Sequence, residues 1–425
     1  MKKISLSLLS LLLITSVYSQ KLEDIITVKE ATRIENILAG DEMRGRKTFT
    51  PDIDRAAAFI AEEFKAAGLK PFGTNKTFLQ EFSLVRPKFI SASATLDGVA
   101  LDQKQIMVIT SSPNLSITEA CGYEKAYLKA GMNLPTEARK FARANKNLLV
   151  LVDSSFASAF SGIARLKSGM FRSSTNVIFL LTNSDPKTYS IEAVHEIMEQ
   201  KLANVVGIIP GKSDECVVFS GHYDHLGVGK PVNGDSIYNG ANDDAAGTTA
   251  VIMLAKYFQQ QKNNQRTLIF AAFTAEEVGG YGSQYFSRQL DPEKVMAMFN
   301  IEMIGTESKW GKNSAYITGY EKTNMGEILA KDLKGSDFNF YPDPYPTQQL
   351  FYRSDNATLA RLGVPAHTIS TSKMDIEPNY HKLSDEVSTL DLENMAAIIR
   401  AIAISSRSII AGKETPSRVK TEDLR

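Results

Sequence analysis

The chain has 425 residues, 43% of them hydrophobic and 23% charged, a globular composition with length for about two or three domains. Lysine plus arginine equals aspartate plus glutamate at 48 each, so no net field draws the protein to nucleic acid or to an acidic membrane surface. A small or weakly charged substrate fits that balance better than a polyanion.

Residues 1–20 carry Lys2 and Lys3, an apolar stretch over 4–17 and the small residue Ser19. This is the pattern of a secretory signal peptide, with an apolar core too short for a membrane span. The mature chain is therefore expected to begin near Gln20 or Lys21 and to be secreted or periplasmic. No cysteine follows the leader, so a lipid anchor is not expected. No later stretch reaches ~18 uninterrupted apolar residues, so no membrane insertion is expected. The two cysteines, Cys121 and Cys216, leave both a disulfide and a pair of buried thiols open, and two are too few for a thiolate metal site.

In chain order, residues 21–85 read as the N-terminal part of a larger domain, with amphipathic helices over 29–38 and 52–67. Gly68 and Pro71 supply the stop of the second helix. The turn at Met43-Arg44-Gly45-Arg46 carries arginines that suit either a structural role or the lining of a cleft. Residues 86–204 change character: β-like runs over 89–96, 148–152 and 176–181 alternate with serine-rich loops, which suggests an inserted β-rich domain. His195 falls in a run over 192–201 that reads as helical, and it is assigned no chemistry.

From 205 to 411 the chain takes up an α/β rhythm. Strands are expected over 205–209 and 216–219, paired as a hairpin across Gly211, and over 267–273, 295–301 and 366–370. Helices are expected over 245–261, 283–290, 324–333 and 391–411, with a frayed polar tail over 412–425. The fold class is α/β, a mixed, mainly parallel central sheet flanked by helices, with an inserted smaller β-rich domain.

Each chemistry-bearing residue falls at a strand's C-terminal end or just beyond it, where open α/β sheets bind ligands. These residues are His222, Asp243, Glu276, Glu277, Glu302 and His381. An Asp pair before a helix is ordinarily an N-cap, and a Glu pair in a loop is ordinarily solvated surface. The joint order of these acids and histidines at successive strand ends lifts them above that bland reading. Two histidines and three carboxylates suit two zinc ions bridged by one carboxylate, with a fourth carboxylate left to move a proton. His225 and His367 are read as packing or loop-bonding residues.

The series GHYD at 221–224, GANDDAAG at 240–247, AEEVG at 275–279, NIEM at 300–303 and YHKLSD at 380–385 resembles the co-catalytic di-zinc aminopeptidases. That family includes secreted bacterial leucine aminopeptidases, plasma glutamate carboxypeptidase and, more distantly, the glutaminyl cyclases. The resemblance covers roughly 203–411, and 86–204 resembles the protease-associated insertion of many relatives. It implies two Zn²⁺ per chain, with Asp243 bridging, Glu277 and His381 completing one site and His222 and Glu302 the other. It further implies Glu276 as general base, Asp224 and Asp385 orienting His222 and His381, and Tyr380 donating to the tetrahedral oxyanion. Asp244 is a candidate for holding the substrate's α-amine.

The implied activity is hydrolysis of N-terminal residues from peptides with a free N-terminus. The alternatives are a zinc carboxypeptidase or dipeptidase of the same family, or a non-catalytic receptor-like binding module. Two positions depart from the family pattern: Glu302 stands where relatives usually carry Asp, and Asn356 where they often carry His. The sequence says nothing of oligomeric state.

Overall fold

The computed structural model describes residues 21–424, so the signal-peptide expectation lies outside the described residues. The chain divides into two compact units, one made of residues up to Gln80 and from Ala203 onward, the other of Glu81–Leu202.

In the first unit the strands lie in the order Asn339–Pro342, Ser314–Ile317, Ala366–Ser370, Val295–Ile301, Cys216–His222, Thr267–Phe273 and the end of Tyr189–Ile209. Cys216–His222 is parallel to both neighbours, and Val295–Ile301 is parallel to Ala366–Ser370. Ser314–Ile317 runs antiparallel to Ala366–Ser370 and parallel to Asn339–Pro342, and the 205–209 segment runs antiparallel to Thr267–Phe273. The expected mixed, mainly parallel sheet is what forms.

Strands covered on both faces must be apolar throughout, and Cys216–His222 and Val295–Ile301 are buried at every position. Val217, Phe219, Leu268, Phe270 and Phe299 point into a core shared with helices Val28–Leu38, Pro51–Ala67, Ala246–Gln261 and Leu392–Ser405. Val218, Ile269, Phe273 and Met298 point the other way, onto Phe286 and Leu359. Phe219 stacks on Phe258, Phe270 and Phe299 with ring centroids 5.5, 5.5 and 4.9 Å away. Burying such a side chain is worth roughly 1.5–3 kcal/mol, so the stability that holds the loops comes from this layer.

Helix Pro51–Ala67 shows how local signals set the boundaries. Thr50 caps it by accepting from the Asp52 N–H, Pro51 opens it, and Gly68 closes it in the left-handed conformation at φ 84°. No described helix is long and apolar enough to cross a membrane.

Three expectations are corrected. Strand Thr267–Phe273 lies between 205–209 and Cys216–His222, so those two do not form a hairpin across Gly211. Segment 192–201 belongs to strand Tyr189–Ile209, where residues 189–195 alternate buried and exposed. Its helix-favouring Glu, Met, Gln and Lys residues are overridden by antiparallel pairing of 190–194 with Asn114–Thr118. The C-terminal stretch is docked rather than frayed: Val419 is buried, and Arg418 donates to the carbonyls of Val295 and Pro292 at 2.8 and 2.9 Å.

The second unit contains a sheet ordered Ile106–Ile109, Val177–Leu181, Leu148–Val152 and Glu124–Leu128, with one helix at Leu134–Ala142. It has cores of its own around Leu149 and Phe179. Cys121 and Cys216 are both free thiols, the first exposed and the second buried.

Candidate metal centre

The residues singled out in the sequence meet along one edge of the first unit's sheet. His222 is the last residue of its strand, and Asp243 sits in the turn before helix Ala246–Gln261. Glu276 and Glu277 follow strand Thr267–Phe273, and Glu302 follows Val295–Ile301. Three of the loops turn through a non-glycine residue in the left-handed region: Ala275 at φ 60°, Met303 at 53° and His381 at 57°. Such conformations are uncommon for residues that carry a Cβ.

Asp243 divides its two oxygens between two histidines. Oδ1 lies 3.2 Å from His222 Nε2, and Oδ2 lies 3.1 Å from His381 Nε2. His381 Nε2 is also 3.1 Å from Glu277 Oε2. Donor atoms of His222, Asp243 and Glu302 all lie within 4.8 Å of one another, and so do those of His225, Asp243 and Glu277. Ligand atoms at ~2.0–2.1 Å from one tetrahedral ion stand about 3.3 Å apart, close to the separations seen. Buried oxygens of Asp243, Glu277 and Glu302 lack a hydrogen-bond partner among the described residues. A donor set of this kind fits divalent cations on both sides of Asp243.

Crowding of acids under the surface sets the charges. Burial pushes Glu276 well above the ordinary carboxylate range, against the pull of His222. Burial likewise lifts Glu302 to about 7. For Asp243 and Glu277 burial acts in the same direction, but the close contacts of the histidine nitrogens outweigh it and hold both carboxyls low. His381, bonded by Asp243 and Glu277, rises to about 10. The centre thus has carboxyls held low at Asp243 and Glu277 and one lifted by burial at Glu276.

The three supporting aspartates work through the backbone. Asp224 was expected to orient the His222 ring, but its carboxylate accepts the N–H groups of Glu276 and Glu277 at 3.0 and 3.3 Å. His222 Nδ1 lies 3.1 Å from the Asp224 main-chain carbonyl and 3.8 Å from its carboxylate Oδ1. Asp385 was expected to orient His381; its carboxylate accepts from the N–H groups of Asn242 and Asp243 at 2.8 and 3.0 Å. Asp244, a candidate for the substrate amine, accepts from the N–H groups of His222, Gly247 and Met303. Gly247 makes room for it, since a Cβ there would lie 2.4 Å from both Asp244 oxygens. These three side chains tie the loops that carry His222, Asp243, Glu277 and Glu302 to one another.

Tyr380 stacks on His381 at 4.0 Å and receives a 3.4 Å contact from Arg353 at its hydroxyl. Burial raises that hydroxyl to about 12, so it stays a donor. Tyr380 also lines a recess of about 30 Å³ with Glu302, Tyr316, Leu350, Arg353 and Met374. Asn356 is structural: it donates to the carbonyls of Phe351 and Ala366 and accepts from Thr368. His367 bonds Thr318 and Thr323, as a packing residue does.

Sequence reasoning set aside His225, which lies 2.9 Å from Glu277. The signal was its place three residues after His222. Arg46, left open between two roles, proves fully buried, its guanidinium donating to the carbonyls of Tyr223, Leu38, Asn239 and Gly240 at 2.6–2.9 Å.

Residues 204–405 match peptidase family M28. The chain carries a peptidase family M28 domain. A probable leucine aminopeptidase of Trichophyton verrucosum is 27% identical over 201 residues, covering 45% of this chain and 53% of the relative. The chain thus spans about half the length of the curated relatives it matches. An aminopeptidase from Aneurinibacillus sp. strain AM-1 has a similar fold, with TM-score 0.54 and 16% identity over 95% of this chain and 97% of that one. A zinc aminopeptidase from Bacillus subtilis aligns with TM-score 0.53 and 15% identity over 96% and 100% of the two chains. The M28 domain spans the sheet edge just described and contains His222, Asp243, Glu276, Glu277, Glu302 and His381.

Proposed function

We propose that the chain is a zinc-dependent aminopeptidase that removes N-terminal residues from peptides. The observation that carries this reading is the Asp243 carboxylate, one oxygen facing His222 and the other facing His381 and Glu277. His222 and Glu302 would hold one Zn²⁺, Glu277 and His381 the other, and Asp243 both. Ions held there lower the pKa of an attacking water toward ~7 and polarise the scissile carbonyl.

The chain's own groups do the rest. Glu276 takes the proton of the attacking water and later delivers it to the leaving amine. Tyr380 keeps its hydroxyl proton and donates it as a hydrogen bond to the oxyanion. Asp224, through the N–H groups of Glu276 and Glu277, fixes the loop that carries the base. With Asp244 engaged by three backbone amides, the substrate's α-amine falls to the acids nearest the metals. The leader pattern over 1–20 supports a secreted or periplasmic enzyme, and Glu81–Leu202 is read as a protease-associated-like insertion.

The test is the metal content of the purified chain, with turnover of aminoacyl anilides before and after chelation. About two zincs per chain and chelator-sensitive release from unblocked substrates alone is the expected result. Cleavage of N-blocked or dipeptide substrates instead would move the reading to a carboxypeptidase or dipeptidase. Absence of metal and of hydrolysis would leave a binding module.

A further inference from the structure

His225 takes no part in the mechanism above, yet it is buried at the centre of the metal-bearing loops. Its Nδ1 lies 2.9 Å from Glu277 Oε1, whereas Glu277 Oε2 lies 3.1 Å from His381 Nε2. The carboxylate is therefore split, Oε1 against His225 and Oε2 against His381. The two atoms meet as a close N···O contact, and neither they nor His225 Nε2 has a hydrogen-bond partner among the described residues.

The niche that holds this imidazole is built for it. A Cβ on Gly240, which sits at φ 59°, would stand 2.6 Å from Cγ and Cδ2 of the His225 ring. Any other residue at 240 would drive the ring off Glu277. Behind the ring, the His225 N–H donates to the Arg46 carbonyl at 3.3 Å. Its face meets His381 edge-on with centroids 5.7 Å apart. The ring is 2% exposed, so it has no freedom to turn to solvent.

We propose that His225 is a positioning residue for Glu277: by occupying Oε1 it presents Oε2 alone to the metal centre. This rests on the reading of His222, Asp243, Glu277, Glu302 and His381 as zinc ligands. A carboxylate with one oxygen taken by an imidazole enters the centre in a single orientation. Without the imidazole it turns about its last torsion, and ordering it opposes metal binding. Partners of this kind are worth about 10–100-fold in metal affinity.

The experiment uses the full mature chain and His225→Ala, with His225→Asn as the conservative variant whose amide N–H reaches in the same direction as Nδ1. Zinc affinities are read by titration against a chromophoric chelator. The Co²⁺-loaded visible spectrum reports on ligand geometry, and X-ray absorption counts imidazoles. The expected result is one zinc weakened about 10–100-fold, the other unchanged, an altered Co²⁺ band, the wild-type imidazole count, and partial recovery in His225→Asn.

Two unweakened zincs in His225→Ala would overturn the proposal, reducing His225 to packing. An imidazole count lowered by one would also overturn it, making His225 a direct ligand. If His225→Ala does not fold, the affinity of His225→Asn decides by the same criteria. A wild type that binds zinc but cleaves no peptide would defeat the aminopeptidase reading and leave this comparison standing. A wild type that binds no zinc would defeat both.

Discussion

Arg46 and Asp385 grip one stretch of backbone by opposite chemistry. The guanidinium takes the carbonyls of Asn239 and Gly240, and the carboxylate takes the N–H groups of Asn242 and Asp243. Asp243 is thereby placed before any ion arrives. Asp385→Asn turns an acceptor of two amides into a group whose own N–H faces them. Zinc affinity should drop about 10–100-fold while the far-ultraviolet circular dichroism stays unchanged. An unaltered zinc titration would show that the loop holds itself.

Glu35 gives a pH dependence that does not involve the ligands. It is fully buried on helix Val28–Leu38, and desolvation lifts its carboxyl from 4.5 to about 8, with Thr249 and Arg46 opposing. An unfolded chain ionises this group from about 4.5 upward, while the folded chain keeps the proton to about 8. Between those values the folded state binds more protons, so stability falls as pH rises through the window and levels off above it. Glu35→Gln should flatten that slope in urea unfolding from about pH 5 to about pH 9. A slope equal to the wild type's would assign the dependence elsewhere.

Glu302 tests how rigid the centre is. The next residue's N–H is bonded to Asp244 at 3.1 Å, so the backbone cannot advance to follow a shorter side chain. Glu302→Asp withdraws the carboxylate by one methylene, about 1.5 Å. One zinc should weaken by about tenfold or more and the other should not. If both zincs bound as before, the loop would have to be mobile.

Glu276→Gln removes the proton carrier and keeps its shape. Turnover of aminoacyl anilides should fall on the order of 10²–10⁴-fold with zinc content unchanged. Loss of zinc would make Glu276 a ligand, and retained turnover would relieve it of the base role.

The side chains that converge on the sheet edge were legible because strand ends are marked by hydrophobic runs and their ligands by residue type. Strands 267–273, 295–301 and 366–370 and helix Pro51–Ala67 were readable for the same reason: burial and capping leave a local pattern. The partners of Asp224, Asp244 and Asp385 were not legible, because they are backbone amides that no residue letter records. His225 was passed over since a histidine three residues from a ligand has the same signature whether it packs or positions. The placement of Thr267–Phe273 between two strands adjacent in sequence is a property of sheet order, which periodicity does not carry.

The Asp224, Asp244 and Asp385 cross-links bear on how the chain can change over time. Each acts on N–H groups that every residue except proline supplies, so the links are indifferent to the side chains they carry. The side chains proposed as ligands at 222, 277, 302 and 381 can therefore be exchanged without removing these links. The same indifference makes the site open to re-specification: the proposed ligands can be rewritten for another ion one residue at a time, on a frame held by backbone hydrogen bonds.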